Sequence, residues 1–416
     1  MVSIGPKYVK HFKGTAQTDN QTYKDKYFES FLKRGKETRT RLHNVKDDDE
    51  DYREHLMDSN LELLVGKARE YYDGIGIKDL DKDDELVEML LKDGGFVVEF
   101  VLKCKEGDND DPRIKDKGKL ARKDMLCFEN QVPFDVLDAL YKEVIGYTEE
   151  TKPEPLSFIR LVKFAFASFA PNITLSNFYD DTKPKDPLDI LHVLHSLCLP
   201  PPINNNPDQN QTMEWPTVVH INSATELQDV GVSFNNTGEV YTMPREYNKI
   251  SSLKQPKDTT SSLFDITFSG GVMKIPSFKV DGFTERFFRN MIALEQRRNL
   301  KPKYYTDYAR LMDHLVDTNK DVSLLRKNGT IHNLLGEDKN VADLFNSVCV
   351  RVDITTNFYF APLYTAVNRH CSNRRLVWAA RLKTDYFSDP WKGVSSIAGA
   401  IVLSLGAALT LKSLLS

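Results

Sequence analysis

The stretch "LCFENQVPFDVLDALY", Leu126 to Tyr141, decides how the fold is read. Met125, Leu126 and Phe128 lead into three polar side chains, Glu129, Asn130 and Gln131. After Pro133, Phe134, Leu137, Ala139, Leu140 and Tyr141 resume at helical spacing. Pro133 has no N–H to donate, pushes the residue before it out of helical geometry, and suits the first turn of a new helix. The stretch therefore reads as helix, break, helix. Each backbone group freed at such a break costs about 1–3 kcal/mol if buried without a partner. The expectation is that Glu129 and Gln131 bond the backbone of neighbouring helix ends, with Asn130 beside them. A catalytic reading of Glu129 lacks the second titratable group that general acid–base chemistry uses.

Helical patterning continues outward on both sides. From Tyr23 to Tyr72 it is highly charged and interrupted by the acidic run Asp47 to Asp51, a solvated loop or helix start. "DELVEMLLKDGGFVVEFVLK", starting at Asp84, is a dense apolar stripe in which Gly94 and Gly95 either kink one helix or divide two elements. "LSFIRLVKFAFASFA" and "DPLDILHVLHSLCLP" read as further amphipathic helices. Residues 1–200 thus form an N-terminal helical region. Residues 201–217, rich in Pro, Asn and Gln, form a linker with little apolar surface to offset ordering.

Residues 218–392 read as a mixed region packed with the first. "SATELQDVGVSF" is a short helix running into a strand, and "LFDITFSGGVMKIPSFKV" a hairpin: Phe264, Ile266 and Phe268 alternate, Ser269 to Gly271 turn, and Val272 to Ile275 return. Tyr308, Leu311, Met312, Leu315 and Val316 then mark a helix with Thr306 or Asp307 as its N-cap. Asp321 and Asn340 are expected to cap two more, with Gly329 as a stop. The fold class is mainly α with a small antiparallel β element, an α+β body ending in a transmembrane helix.

That last helix is "VSSIAGAIVLSLGAALTL", Val394 to Leu411, without a charge. At 1.5 Å per residue it would span about 27 Å, at the short end for a bilayer core. Arg374, Arg375, Arg381, Lys383 and Lys392 precede it and Lys412 follows, so the positive-inside tendency keeps the large body cytosolic. Single-pass membrane localisation follows, the plasma membrane being one candidate. Ser396, Ala400, Ser404 and Ala408 recur every fourth residue, a small-residue face on which two such helices could pack as a homo-oligomer.

The 416 residues are 28% charged and 40% hydrophobic, the composition of a folded body. The net charge of -4 comes from interspersed charges, so no basic block exists to neutralise phosphates, and nucleic acid is not an expected partner. Cys104, Cys127, Cys198, Cys349 and Cys371 are scattered, as expected of reduced thiols. Sequons at Asn20, Asn172, Asn210, Asn235 and Asn328 would matter only if the body faced the opposite side of the membrane.

No phosphate loop, dinucleotide fingerprint or nucleophile elbow is present, and no cofactor is expected. The calcium-loop mimic starting at Asp79 has Asp84 where glycine is needed and Leu90 where a bidentate glutamate belongs. His192, His195 and Cys198 share one helical face, but the outer two stand about 9 Å apart along the axis, too far for one tetrahedral ion. No catalytic, cofactor or metal residue is assigned.

The chain resembles the plant family known as domain of unknown function 247. The resemblance rests on "VSIGP" at Val2, "DGGFVVEF" at Asp93, "ENQVPF" at Glu129, "ATELQDVGVSF" at Ala224, "TERFFRNMIALEQ" at Thr284, "YTDYARLMDHLVDT" at Tyr305 and "DYFSDPW" at Asp385. It implies a mostly helical plant protein ending in a membrane segment, with no established enzymatic activity. Family members in grasses are linked to pollen-side self-incompatibility, which implies recognition. The expectation is a membrane-tethered, non-enzymatic recognition or scaffold protein with a protein partner. The alternative is an enzyme whose pocket the sequence does not reveal, using groups such as Glu129 or His192.

Overall fold

The computed structural model describes residues 2, 4–5, 19–57, 62–74, 83–107, 112–147, 156–169, 177–178, 180–200, 220–237, 262–352, 358–373, 394, 398–399, 401–407 and 410. The first region is helical: α1 (Asp19–His43), α2 (Asp49–Leu56), α3 (Glu62–Gly74), α4 (Asp83–Glu106), α5 (Pro112–Met125), α6 (Phe134–Ile145), α7 (Phe158–Phe166) and α8 (Ile190–Leu197). Helix α4 is its axis, packed by α1, α6 and α7. It runs unbroken through Gly94 and Gly95, so these glycines neither kink nor divide it. Their use is close approach. A Cβ on Gly94 would meet Leu140 Cδ1 at 2.5 Å, and one on Gly95 would meet Phe28 and Phe31 at 2.9 Å. That contact offsets the roughly 1 kcal/mol that each glycine costs inside a helix.

The acidic run starts a helix. Asp48 caps α2, accepting from the Glu50 and Asp51 N–H groups, while the Asp51 side chain returns to the Asp48 N–H.

The second region comprises α9 (Ala224–Asp229), β1 (Ser233–Asn236), β2 (Thr267–Ser269), β3 (Val272–Ile275), β4 (Phe278–Val280), α10 (Thr284–Arg297), α11 (Tyr304–Leu315), α12 (Asn319–Lys327), β5 (Ile331–Asn333), α13 (Asp338–Val348) and α14 (Ala361–Cys371). Strands β2 and β3 form the expected hairpin, Phe268 opposite Met273, turning through Gly270 and Gly271 at φ of 59° and 80°. Two positive φ values in succession are what a tight two-residue hairpin requires.

The sheets are not wholly antiparallel, however. β1 pairs parallel with β3 and β4 parallel with β5, giving orders β1-β3-β2 and β4-β5. Parallel pairing demands a long crossover, and between β4 and β5 helices α10, α11 and α12 supply it. Phe264 and Ile266 lie before the hairpin strands; both are buried.

Three expected caps are placed differently. Lys303 precedes α11 and supplies no side-chain cap, Thr318 caps α12 with Asp321 at the third helical position, and Glu337 precedes α13 with Asn340 inside it. The apolar stripe of α11 is as expected, with Tyr308, Leu311, Met312, Leu315 and Val316 all buried. Residues 201–217 lie outside the described residues.

Candidate functional site

The break after α5 is a junction of three chain segments. Asn130 is buried; its Nδ2 donates to Asp124 O (2.9 Å) and Val2 O (3.0 Å), and its Oδ1 accepts from Ile4 N (2.6 Å). Gln131, also buried, donates through Nε2 to Met125 O and Cys127 O at the end of α5. Its Oε1 accepts from Leu191 N (3.4 Å) in the first turn of α8. Glu129 is exposed. The amides Asn130 and Gln131 join the helix ends. An amide donates and accepts at once, whereas a carboxylate only accepts and loses more hydration on burial. Pro133 stands one position before α6, and Phe134 N donates to Leu188 O at 2.9 Å.

Val2, Ile4 and Gly5 lie against this junction. Val2 N donates to Asp124 Oδ2 (2.8 Å) and Gly5 N to Asp93 Oδ2 (2.7 Å). Asp93 also pairs with Lys24, and Asp124 with Arg286 at 3.1 Å. Val2 and Ile4 are buried.

A second polar centre joins the two regions through α10. Glu295 is 0% exposed. It accepts from His195 Nε2 (2.9 Å), from the N–H groups of Tyr305 and Thr306 (2.9 Å each), and from Thr306 Oγ1 (2.7 Å). It thus caps α11 from the preceding helix, in place of Thr306 or Asp307. Asp307 instead accepts from Tyr359 N at 2.7 Å. Four donors on one carboxylate compensate for its burial.

Beside this centre, buried Asp189 caps α8, accepting from His192 N (2.7 Å) and Tyr71 Oη (2.6 Å). Burial raises the Asp189 carboxyl pKa and holds Tyr71 well above its ordinary value. Arg298 lies over the Tyr71 ring at 4.0 Å and donates to Tyr71 O at 3.3 Å.

The His192–His195–Cys198 face resolves into these contacts. His192 Nδ1 accepts from Leu188 N at 3.2 Å, and burial pushes its pKa down to about 4. His195 is held by Glu295, and burial pushes the Cys198 thiol up to about 12. Among the described residues no group of three or more His, Cys, Asp or Glu side chains is placed to hold a metal ion. Elsewhere, Asp321 accepts from Thr225 N and Oγ1 at 2.8 and 2.7 Å, tying α12 to α9. None of the five cysteines forms a disulfide.

Sequence reasoning missed Glu295, Asp189 and Tyr71. Glu295 carried a signal: it follows Phe288, Met291 and Ile292 on the buried stripe of α10. A charge on an apolar stripe needs partners. The Tyr71–Asp189 contact spans 118 residues and left no local pattern.

The described part of the C-terminal segment is helical over residues 401–407 and exposed throughout. No helix among the described residues is long and apolar enough to cross a membrane, so the expected span from Val394 to Leu411 has no support as a continuous helix. Val394 is 61% exposed, and Ser404 Oγ donates to Ile401 O at 2.8 Å. Ser396, Ala400, Ala408 and Leu411 lie outside the described residues, so the small-residue face is not described as one surface.

These features define a mainly helical protein with a few small strands, whose buried polar groups connect its parts. The chain belongs to a family described as plant protein of unknown function, domain of unknown function 247, whose model matches residues 1–405. It is similar to the UPF0481 protein At3g47200 of Arabidopsis thaliana, 23% identical over 97% of this chain and 80% of that protein. It is also similar to the putative UPF0481 protein At3g02645 of Arabidopsis thaliana, 27% identical over 44% of this chain. That second match spans 31% of the relative's own length. No solved structure matches the chain.

Proposed function

We propose that this plant protein is a non-enzymatic recognition or scaffold protein, held at a membrane by its C-terminal apolar segment with its body in the cytosol. The observation that carries the tether is the exposure of Ile401, Val402, Leu403 and Leu405, at 52%, 68%, 76% and 58%. Four bulky apolar side chains on one short helical stretch cost about 1.5–3 kcal/mol each to leave in water rather than bury. A bilayer is an occupant that would cover them on all sides, consistent with the uncharged sequence around them.

The recognition role draws on the engagement of the polar groups. Glu295, His195, Asp189, Asn130 and Gln131 are each held by backbone or neighbouring side chains. Groups committed in this way are positioned for rigidity, and a rigid body suits display of a binding surface. Membership of a family whose grass members are linked to self-incompatibility is the analogy that supports this role, and with it a protein partner.

Appending an N-glycosylation sequon after Ser416 and translating the full chain with microsomes tests tether and orientation together. The account predicts glycan on the appended site and none on Asn235 or Asn328. Glycan on Asn235 or Asn328 would invert the topology, and no glycan anywhere, with the chain left in the soluble fraction, would remove the tether.

A further inference from the structure

Asn328 is followed by Gly329, the one Asn-Gly pair in the 416 residues. Such a pair can modify itself. The glycine backbone nitrogen, once it has given its proton to solvent, attacks the asparagine side-chain carbonyl, and no Cβ stands beside that nitrogen to block the approach. A bond from nitrogen to Cγ forms, the bond from Cγ to Nδ2 breaks, and ammonia leaves with a proton taken back from solvent. Water then opens the five-membered imide at either carbonyl. One opening gives aspartate, and the other gives isoaspartate, in which the main chain runs through the side-chain carbons. Water is the only co-reactant.

The native structure keeps the reacting atoms apart. Asn328 ends α12 with ψ of 6°, which turns Gly329 N away from the Asn328 side chain. Ring closure requires that nitrogen to eclipse Cβ across the Cα–C bond. Both reacting groups are also engaged: Gly329 N donates to Arg326 O at 3.0 Å, which opposes loss of its proton, and Asn328 Nδ2 donates to Leu324 O at 3.0 Å. Just beyond, Thr330 N donates to Leu325 O (2.9 Å), Gly329 O accepts from Ser277 Oγ (2.7 Å), and Thr330 O accepts from Phe278 N (2.9 Å). These bonds close the corner between α12 and β5. Turning the Asn328–Gly329 peptide toward the side chain breaks several of them together.

The product does not fit the same corner. A carboxylate at position 328 has no hydrogen to give Leu324 O, and it adds negative charge at the C-terminal end of α12, where the helix dipole is already negative. Isoaspartate does more, because its added main-chain carbon lengthens the path from α12 to β5. Strand β5 is held in register with β4, Ile331 opposite Phe278, so a longer link displaces either the helix end or the strand. We propose that Asn328–Gly329 is a self-modification site held closed by the native cap: opening of the α12–β5 corner allows the reaction, and the product prevents the corner from closing again. This stands apart from the membrane tether and from any partner.

Incubation of the full chain at mildly alkaline pH, with and without guanidinium chloride, tests the site. Peptide mapping should find aspartate and isoaspartate at position 328 of the denatured chain. The native chain should react about a hundredfold more slowly, because reaction proceeds only through the open form. Ser277→Ala, which removes one bond to Gly329 O, should speed the native reaction severalfold and leave the denatured rate unchanged. After removal of denaturant, chains carrying isoaspartate should melt lower than unreacted chains. Asn328→Gln chains taken through the same treatment should recover their own starting melting temperature, which separates damage at position 328 from damage elsewhere.

Equal rates with and without denaturant would overturn the closed cap, and an unchanged native rate in a folded Ser277→Ala chain would overturn this corner as the gate. Absence of isoaspartate from the denatured chain would overturn the site itself. Modified chains that melt like unmodified ones, or Asn328→Gln chains that lose as much, would overturn the claim that reaction at this position prevents closure.

Discussion

His195 of α8 donates to Glu295 of α10 at 2.9 Å, joining residues 100 positions apart and tying the first helical region to the second. The same carboxylate caps α11 through Tyr305 N and Thr306 N. One buried acid thus serves three helices.

Replacing Glu295 by alanine should leave two N–H groups of α11, Thr306 Oγ1 and His195 Nε2 without their acceptor. The expected loss is about 3–5 kcal/mol, the range for removing one member of a buried charged network. Glu295→Gln keeps one oxygen acceptor and should lose about half as much. Urea unfolding measures both. A loss below about 1 kcal/mol for the alanine variant would show that the contact does not hold the regions together.

Asn130→Ala should lower stability by about 1–3 kcal/mol, since it strands Ile4 N, Val2 O and Asp124 O together. Glu129→Ala, at an exposed position, should stay within about 0.5 kcal/mol of wild type. Thermal melts of the two variants separate them directly. The reverse order would return the capping role to the glutamate.

These two positions show how far the sequence could be read. The polar triplet and Pro133 were enough to place the break, because losing helix geometry inside an apolar run has a local signature. Which of the three side chains turned inward depended on Asp124 O, Val2 and Leu191, and distances along the chain do not reveal that meeting. Likewise the Gly-Gly hairpin was legible from its turn, while the parallel partners of β3 and β4 arrive through crossovers with no local mark. Glu295 was legible only as an anomaly on an apolar stripe. Its four donors come from α8 and α11, which periodicity alone does not bring together.

The histidines give a pH dependence with a defined sign. His192, among His195 and Arg298, and His314, beside His220 and Arg310, are both pushed down from 6.5 to about 4, chiefly by burial. Their folded forms resist protonation more than the unfolded chain does. Their contribution to stability is therefore complete above about pH 6.5 and is lost as pH falls through about 4. The melting temperature should drop across that window. The double variant His192→Gln, His314→Gln should flatten the slope, and an unchanged slope would assign the acid sensitivity to other groups.

The tether is the claim on which the functional reading turns, and membrane partition in alkaline carbonate tests it most directly. The full chain, expressed in plant cells, should remain with the membrane pellet, while a chain ended at residue 393 should move to the supernatant with its melting temperature unchanged. If the full chain is released by carbonate as completely as the shortened one, Ile401 to Leu405 do not enter a bilayer, and the proposal of a membrane-held protein is contradicted.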